Sequence, residues 1–332
     1  MRLAFWVNDV TDIKATQTTA MMIASAAARD HEVWVCGVTD LSLDARGRVV
    51  ARARRAHAPL DQAGLWAMAQ RPPVEVDLIS CDAVLIRTNP GRDQAHAVYH
   101  DEALGLAEVL QRRDVVVLND PAGLRRCKSK LFLAGLPPKV RPRTIVSGDM
   151  TLLSQFVEEA SGPCVAKPLV GTRGEGVFKL SQGDSNVQAI LSLLSQDGPV
   201  LVQDYIPGAE HGDMRLVVLE GKPLVMGEHM ACVRRVPQQG EWRSNIHLGG
   251  KAQPGDPTRE QLAVAELLGS RLLAEGIMLA GLDLIGTRAV ELNVYSTGGL
   301  RDANRFAGLD FTQPILDAVE RRVAAPTVRT GQ

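Results

Sequence analysis

The chain has 332 residues, 45% of them apolar and 23% charged, an ordinary globular composition with length enough for two or three domains. A net charge of −1 gives no bulk electrostatic pull toward nucleic acid or an anionic membrane. No apolar run approaches the ~20 residues that span a bilayer, and Met1–Val7 is too short, and too soon followed by Asn8-Asp9, to be a signal peptide.

Up to Leu118 the pattern alternates. Apolar runs at Leu3–Val7, Val33–Val38, Ala83–Arg87 and Val115–Leu118 read as strands, with helical composition at Ala15–Ala28 and Tyr99–Gln111. This alternation predicts a parallel sheet with helices on its faces and ligands at the carboxyl ends of its strands. The turn at Asp44–Gly47 before the basic Arg52–Arg55 reads as a hairpin with a solvated arm. A helix follows over Pro121–Ala134, with proline in its first turn, then a strand over Val140–Val146 and a helix over Thr151–Ala160. Strand-like segments run from Val200 to Met230, and a Pro- and Gly-rich loop covers 236–250. Helix Arg259–Glu275 precedes a hairpin, helix Thr312–Val323 closes the pattern, and 326–332 reads as a loose tail. Cysteines 36, 81, 127, 164 and 232 are scattered without a CxxC, which predicts buried thiols in a reducing cytoplasm.

Four segments carry chemistry. In the hairpin 281–294, Asp283, Glu291 and Asn293 interrupt strands that would otherwise stay apolar. Glu291 and Asn293 are two apart and share a face, and Asp283 can join them from the partner strand. Hard oxygen donors so few in number suit a Mg²⁺ ion that also takes phosphate oxygens. In the second segment Lys167 ends a strand, and Gly171, Gly174 and Gly176 follow. Such glycines bring backbone N–H groups close to phosphate, and lysine adds a point charge. The order is not that of a P-loop, where the lysine follows the glycines. The third segment, Gln203-Asp204-Tyr205-Ile206, is an extended connector suited to an adenine edge. The fourth holds Arg235, Arg243, Asn245 and the pair Gly249-Gly250 in one span, with guanidiniums fit for phosphate or carboxylate.

Asn119-Asp-Pro121, Lys130-Leu-Phe132, Lys167-Pro-Leu169, Gly212-Asp213-x-Arg215, Arg235-x-Pro237, Asn245, Gly281-Leu-Asp283 and Glu291-x-Asn293-Val294 occur in this order over nearly the whole chain. In this constellation the chain resembles the ATP-grasp superfamily and, within it, the bacterial glutathione synthetases. The resemblance implies an α/β ATP-grasp fold behind an N-terminal parallel-sheet (pre-ATP-grasp) domain. Its parts would be 1–121 on the substrate side, 122–202 as a lid with the Gly-rich loop, and 203–325 as the catalytic part. It implies an ATP-dependent carboxylate–amine ligase acting through an acyl phosphate, glutathione synthetase being the nearest named activity. Lys130, Lys167, Gly171, Gly174, Gly176 and residues 203–206 would bind the nucleotide. Asp283, Glu291 and Asn293 would hold two Mg²⁺, with Mn²⁺ as a substitute. Arg215, Arg235 and Asn245 would be catalytic. Small amino acids or peptides would be the partners, in a cytoplasmic homo-oligomer, dimer or tetramer, with neither nucleic acid nor membrane.

The pattern departs from the family in the segments that face substrate. Thr88-Asn89-Pro90-Gly91 stands where the family has Lys-Asp-Pro-Pro, Val170 replaces an acid, and Tyr295-Ser296-Thr297-Gly298 replaces Thr-Ser-Pro-Thr. The carboxylate donor is expected against Asn8, Arg87, Ser296, Gly298, Gly299 and Arg301, at strand-end loops and just after the metal ligands. The alternatives are a paralogue that ligates another amino acid or peptide, and a nucleotide-binding protein without catalysis.

Overall fold

The N-terminal apolar runs form one sheet. The computed structural model describes residues 1–171, 174–244 and 249–325; Asn245 and the tail 326–332 lie outside them. Strands β1 (Arg2–Val7), β2 (Glu32–Gly37), β3 (Leu41–Leu43), β4 (Val49–Ala56), β5 (Val74–Asp77), β6 (Ala83–Ile86) and β7 (Val116–Leu118) lie in the order β3-β4-β2-β1-β6-β7, with β5 on β4. The four strands β2, β1, β6 and β7 are parallel, and β3, β4 and β5 extend them antiparallel. From Leu3 to Val7 β1 is apolar because both its faces are covered. Leu3, Phe5 and Val7 enter one core, Ala4 and Trp6 another. Helices α1 (Thr18–Ala28), α2 (Gln62–Gln70) and α3 (Ala97–Gln111) accompany the sheet. The sequence pattern did not show α2, in which only Leu65, Met68 and Ala69 are buried.

The single helix expected over 121–134 is two, α4 (Pro121–Cys127) and α5 (Leu131–Ala134). The N–H of Lys130 leaves the helical ladder for the carbonyl of Leu169 at 3.0 Å, and Ser129 accepts from the N–H of Leu131 at 3.1 Å. The break sets Lys130 at the start of α5. The strand expected over 140–146 is displaced to β8 (Thr144–Ser147), because Pro138–Val140 closes a 3₁₀ turn and Pro142 offers no ladder N–H. β8, β9 (Cys164–Pro168), β10 (Phe178–Leu180) and β11 (Val200–Asp204) make a second, antiparallel sheet in the order β10-β9-β11-β8. α6 (Met150–Glu158) and α7 (Val187–Ser195) pack with it around a core of its own, drawn from 153–202.

The third sheet runs β17-β16-β12-β18-β19, with β13 on β12. In chain order its region holds β12 (Asp213–Leu219), β13 (Lys222–Pro223), a ribbon of β14 (Val225–Met226) and β15 (His229–Met230), then β16 (Cys232–Val236) and β17 (Lys251–Pro254). α8 (Arg259–Ala274), β18 (Leu279–Ile285), β19 (Arg288–Asn293), α9 (Leu300–Ala307) and α10 (Thr312–Ala324) complete it. This sheet and the first share both of their cores. Asn119 stitches them together: its amide donates to the carbonyls of Leu279 (2.8 Å) and Val294 (2.6 Å) and accepts from the N–H groups of Met278 and Leu279. The architecture is therefore the mixed α/β fold read from the sequence, with the parallel sheet at its N-terminal side.

Candidate active site

Antiparallel register assembles a row of charges on one face of the third sheet. Arg215 of β12 lies opposite Asp283 of β18, Asp283 opposite Glu291 of β19, and Asp213 opposite Arg235 of β16. The neighbours Leu216, Leu282 and Leu284 point the other way into the core. Gly281 makes the row possible, since a Cβ there would sit 2.1 Å from Oγ1 of Thr297 and 3.2 Å from Cδ of Arg215. The Asp283 carboxylate is buried. It takes a bidentate contact from Nε and Nη2 of Arg215 (2.7 Å for the latter) and a third bond from Nη2 of Arg235 at 2.8 Å. Burial works to raise its pKa, but Arg215 and Arg235 outweigh it and bring it to about 2. Arg235 also grips Asp213 at 2.6 and 2.7 Å, and Ser244 donates to Asp213 at 2.5 Å. Burial works to lower the Arg235 pKa, but Asp283 and Asp213 outweigh it and hold it above its ordinary value.

The expected metal set is thereby divided. Among the described residues, no three His, Cys, Asp or Glu side chains are grouped as a metal centre. A carboxylate has about four lone-pair positions, and the guanidiniums use three of those on Asp283. Glu291 has no ion-pair partner among the described residues, and Asn293 has a buried Nδ2 without a hydrogen-bond partner. Asn293 lines the neighbouring cavity and recess rather than the lysine cleft, and no bond fixes which end of its amide faces them. Glu291 and Asn293 thus fit a hard cation directly, and Asp283 has one lone-pair position left for it.

Across from this row stand two lysines. Nζ of Lys167 on β9 donates to the carbonyl of Val290 at 3.1 Å, and Nζ of Lys130 to that of Gly171 at 3.2 Å. Neither has a carboxylate within 4 Å among the described residues. Burial, then the charge of Lys130, lowers the Lys167 pKa to about 8 against the pull of Glu291 and Asp283. Burial also lowers that of Lys130, with Glu291 offsetting part of it. The cleft between lysines and charge row holds ≈ 810 Å³, open solvent included, and Gly171, Gly174, Gln203, Tyr205 and Ile206 line it. Two expected members do not. Asp204 alternates away from Gln203 along β11 and forms an ion pair with Arg143 at 3.1 Å, whose guanidinium lies 4.0 Å from the Phe156 ring. Gly176 is a turn residue, with φ +65°, against Pro168 and Leu194. The sequence reading missed Trp242, edge-on to Tyr205 at 5.8 Å, and the bond from Nη1 of Arg243 to the Gly174 carbonyl at 3.1 Å. An aromatic residue inside a Pro- and Gly-rich loop was the available signal.

A second cavity, ≈ 1660 Å³ with open solvent included, meets the cleft at Arg235 and Glu291. Asn8, Arg87, Ser296, Gly298, Gly299 and Arg301 all line it. Several are held by the protein itself. The Asn8 amide is locked on the backbone of Asn89 at 2.6 and 3.0 Å. Arg87 is buried and donates to Thr19 Oγ1 and to the carbonyls of Tyr295 and Thr297, at 3.2–3.3 Å. Arg301 turns toward Asp302 at 3.2 Å. Residues 300 and 301 begin α9, with Gly299 in the left-handed region as its cap.

Residues 1–125 match the N-terminal domain of prokaryotic glutathione synthetase, and residues 129–308 match its ATP-grasp domain. A glutathione synthetase of Synechocystis sp. is 32% identical over 97% of this chain and 100% of its own length. One of Vibrio parahaemolyticus is 30% identical over 94% and 95%. Among solved structures, a RiPP-associated ATP-grasp ligase of Chryseobacterium gregarium, in complex with ADP and leader and core peptides, has a TM-score of 0.63 at 16% identity and 98% coverage of both chains. The ATP-grasp ligase PsnB, complexed with a minimal precursor variant, Mg and ADP, has a TM-score of 0.62 at 18% identity over 96% of this chain and 98% of its own. These two share the fold. The chain belongs to the prokaryotic glutathione synthetase family and is an ATP-dependent ligase of the ATP-grasp type.

Proposed function

We propose that this family member joins the cysteinyl carboxylate of γ-glutamylcysteine to the amine of glycine at the expense of ATP. The observation that carries the reading is a pair of lysines without carboxylate partners, Lys167 buried and Lys130 half-buried. They face Asp283 and Glu291 across a cleft that opens, at Glu291 and Arg235, into a second cavity lined by Asn293. Lysines without ion-pair partners lining one cleft suit a polyanion, and the shared wall suits a reaction between ligands of the two cavities. Relatives named glutathione synthetase, about 30% identical along almost the whole chain, support the donor and acceptor.

In this reading Lys130, Lys167 and the backbone of Gly171 and Gly174 hold the phosphates, and Gln203, Tyr205 and Ile206 border the base. Glu291 and Asn293, with the remaining lone pair of Asp283, would hold Mg²⁺, two ions by the family pattern with Mn²⁺ as substitute; the metal would neutralise phosphate charge as it develops. The donor carboxylate attacks the γ-phosphorus, the β–γ bridge breaks and ADP leaves. The amine then attacks the acyl carbon, loses a proton and expels phosphate. Arg215 and Arg235, fixed by Asp283 and Asp213, offer N–H groups to the oxyanion. Asn245, next to Ser244, would join them. The second sheet acts as lid, 1–121 as the substrate side and 203–325 as the catalytic part. A cytoplasmic dimer or tetramer completes the proposal; the five cysteines are buried and free, and no described helix is long and apolar enough to cross a membrane.

A second reading, another donor or acceptor, is favoured by one observation. The departures Asn89, Gly91, Val170 and Tyr295 converge on one recess of ≈ 500 Å³ beside Glu291 and Asn293. Phosphate release from MgATP, with product mass, decides between them. With γ-glutamylcysteine and glycine, kcat/KM on the order of 10⁴ M⁻¹s⁻¹ or more supports the first reading. Background release there, with turnover on another pair from a screen of dipeptides and amino acids, selects the second. No release with any pair refutes both.

A further inference from the structure

One end of the lysine cleft is walled by two aromatic rings. Trp242 and Tyr205 meet edge to face, with ring centres 5.8 Å apart. Both line the cleft and are half-buried, and neither belongs to any of the three hydrophobic cores. Tyr205 is fixed from its other sides. Nζ of Lys179 lies 3.9 Å from the centre of its ring, its Oη donates to Glu210 at 2.8 Å, and its N–H donates to the carbonyl of Pro163 at 2.9 Å. Trp242 reaches it from the segment between β16 and β17, where Glu241 accepts the N–H of Trp242 at 2.9 Å and holds the Arg243 guanidinium at 2.7 Å. The rings are therefore set by the protein, and part of their surface is left to the cleft. Large apolar side chains held open in a concave site suit a ligand that covers them.

Strand register sets how far these rings stand from the lysines. Asp204, the residue before Tyr205, lies opposite Cys164 of β9, and Lys167 lies opposite Leu201. From Cys164 to Lys167 the strand advances about 10 Å. Lys167 stands near Lys130 and Glu291, so that end of the cleft is ionic. At the other end Val165, Ile206 and Ala209 add apolar surface to the rings. The charges there are taken up by one another: Glu241 pairs with Arg243, and Glu210 accepts from the hydroxyl of Tyr205. A cleft that is cationic at one end and apolar, with flat walls, about 10 Å away matches the two halves of a nucleotide.

We infer that Trp242 is a nucleotide-binding residue of this chain, its indole covering the nucleoside of ATP at the end of the cleft away from the lysines. The inference rests on the reading of this cleft as the ATP site, which places Tyr205 and Ile206 at the base. Trp242 adds a contact from the third sheet's side. The nucleoside is then held from both walls, by Val165 of the second sheet and by Trp242. Phosphates without a nucleoside would meet the lysine end alone.

The test compares a non-hydrolysable ATP analogue with inorganic tripolyphosphate, which keeps the phosphates and lacks the nucleoside. Each is titrated calorimetrically, with Mg²⁺, into the whole protein. Trp242→Ala should weaken the ATP analogue by about 5- to 50-fold and leave tripolyphosphate within about twofold. Trp242→Phe keeps an aromatic face and should bind both ligands within about threefold of wild type. A tryptophan that merely propped up its loop would act through the bond from Arg243 to the Gly174 carbonyl, and so on both ligands alike. Emission is the second readout. The ATP analogue should change the tryptophan fluorescence of wild type and change it far less in Trp242→Phe, and tripolyphosphate should leave wild type unchanged. If Trp242→Ala does not fold, the emission of Trp242→Phe carries the test. Equal loss of both ligands in Trp242→Ala, or an emission change that persists in full in Trp242→Phe, overturns the assignment. Lys167→Met should weaken both ligands. Undiminished binding of both there would refute the cleft itself, and Trp242 with it. Weakened binding there, with Trp242→Ala like wild type for both ligands, would refute Trp242 alone.

Discussion

The second sheet and the pair of sheets around it are built on different terms. β8–β11 with α6 and α7 close a core from residues 153–202 alone. The first and third sheets interleave their side chains in two common cores and are stitched by Asn119. Among the described residues, the bonds from this second sheet to the rest are polar and few: Lys167 to Val290, Lys130 to Leu169 and Gly171, Arg243 to Gly174. A unit with its own core can swing without exposing its neighbour's apolar surface. The charge row of Arg215, Asp283 and Glu291 stands on shared-core strands, so the parts that must hold position lie on the wall that cannot easily move. In the proposed reaction, closure would fall to the wall that can.

The largest effect should come from the fixed wall. Glu291→Gln should lower turnover by about 10³-fold or more while leaving the melting temperature nearly unchanged, because Glu291 has no ion-pair partner to lose. Asp283→Asn should abolish turnover and also destabilise the fold by about 3–5 kcal/mol, because it strands two buried guanidiniums. Phosphate release and thermal melts separate the two. If both variants melt alike, the charge row does not contribute to the stability of the body.

The lid should behave in the opposite sense. Lys167→Met should weaken ATP binding by about 10- to 100-fold yet raise the apo melting temperature. Burial of the ammonium, with a pKa near 8 against an ordinary 10.5, opposes folding by up to about 3 kcal/mol. The sign follows from proton counts. Between pH 8 and 10.5 the unfolded chain binds more protons at this site than the folded one, so this group's contribution to stability rises with pH across that window. Nucleotide affinity of wild type should be flat below pH 8 and decline above it, as Lys167 loses its charge. Calorimetry across pH 6.5–9.5 checks this, and a flat profile would remove Lys167 from the phosphates.

Two smaller effects sharpen the comparison. In native-state hydrogen exchange, amides of β8–β11 should open at lower denaturant than those of β1 or β12, and an ATP analogue should raise their protection. A single opening transition for all three sheets would make the lid part of the body. Arg243→Ala removes the bond to the Gly174 carbonyl, which is only half-buried, and should raise KM for ATP by about 3- to 5-fold with kcat little changed. An unchanged KM would mean that the loop at 241–244 does not help to hold the lid.

The sequence by itself determined whatever depends on neighbours along the chain. Period-two alternation put Glu291 and Asn293 on one face, apolar runs marked the parallel strands, and Lys167 followed by glycines marked the segment proposed to hold phosphate. Order along the chain was enough for the family and the ligase chemistry. The tertiary structure decided the partners. It gave Asp283 to Arg215 and Arg235, 68 and 48 residues away, locked Asn8 on Asn89, and turned Asp204 out to Arg143. It also broke the helix at Lys130 and left α1 uncapped beside a buried Arg87. The physical reason is that a strand's periodicity fixes the direction of a side chain, whereas the charge that meets it comes from another strand whose register is set by packing.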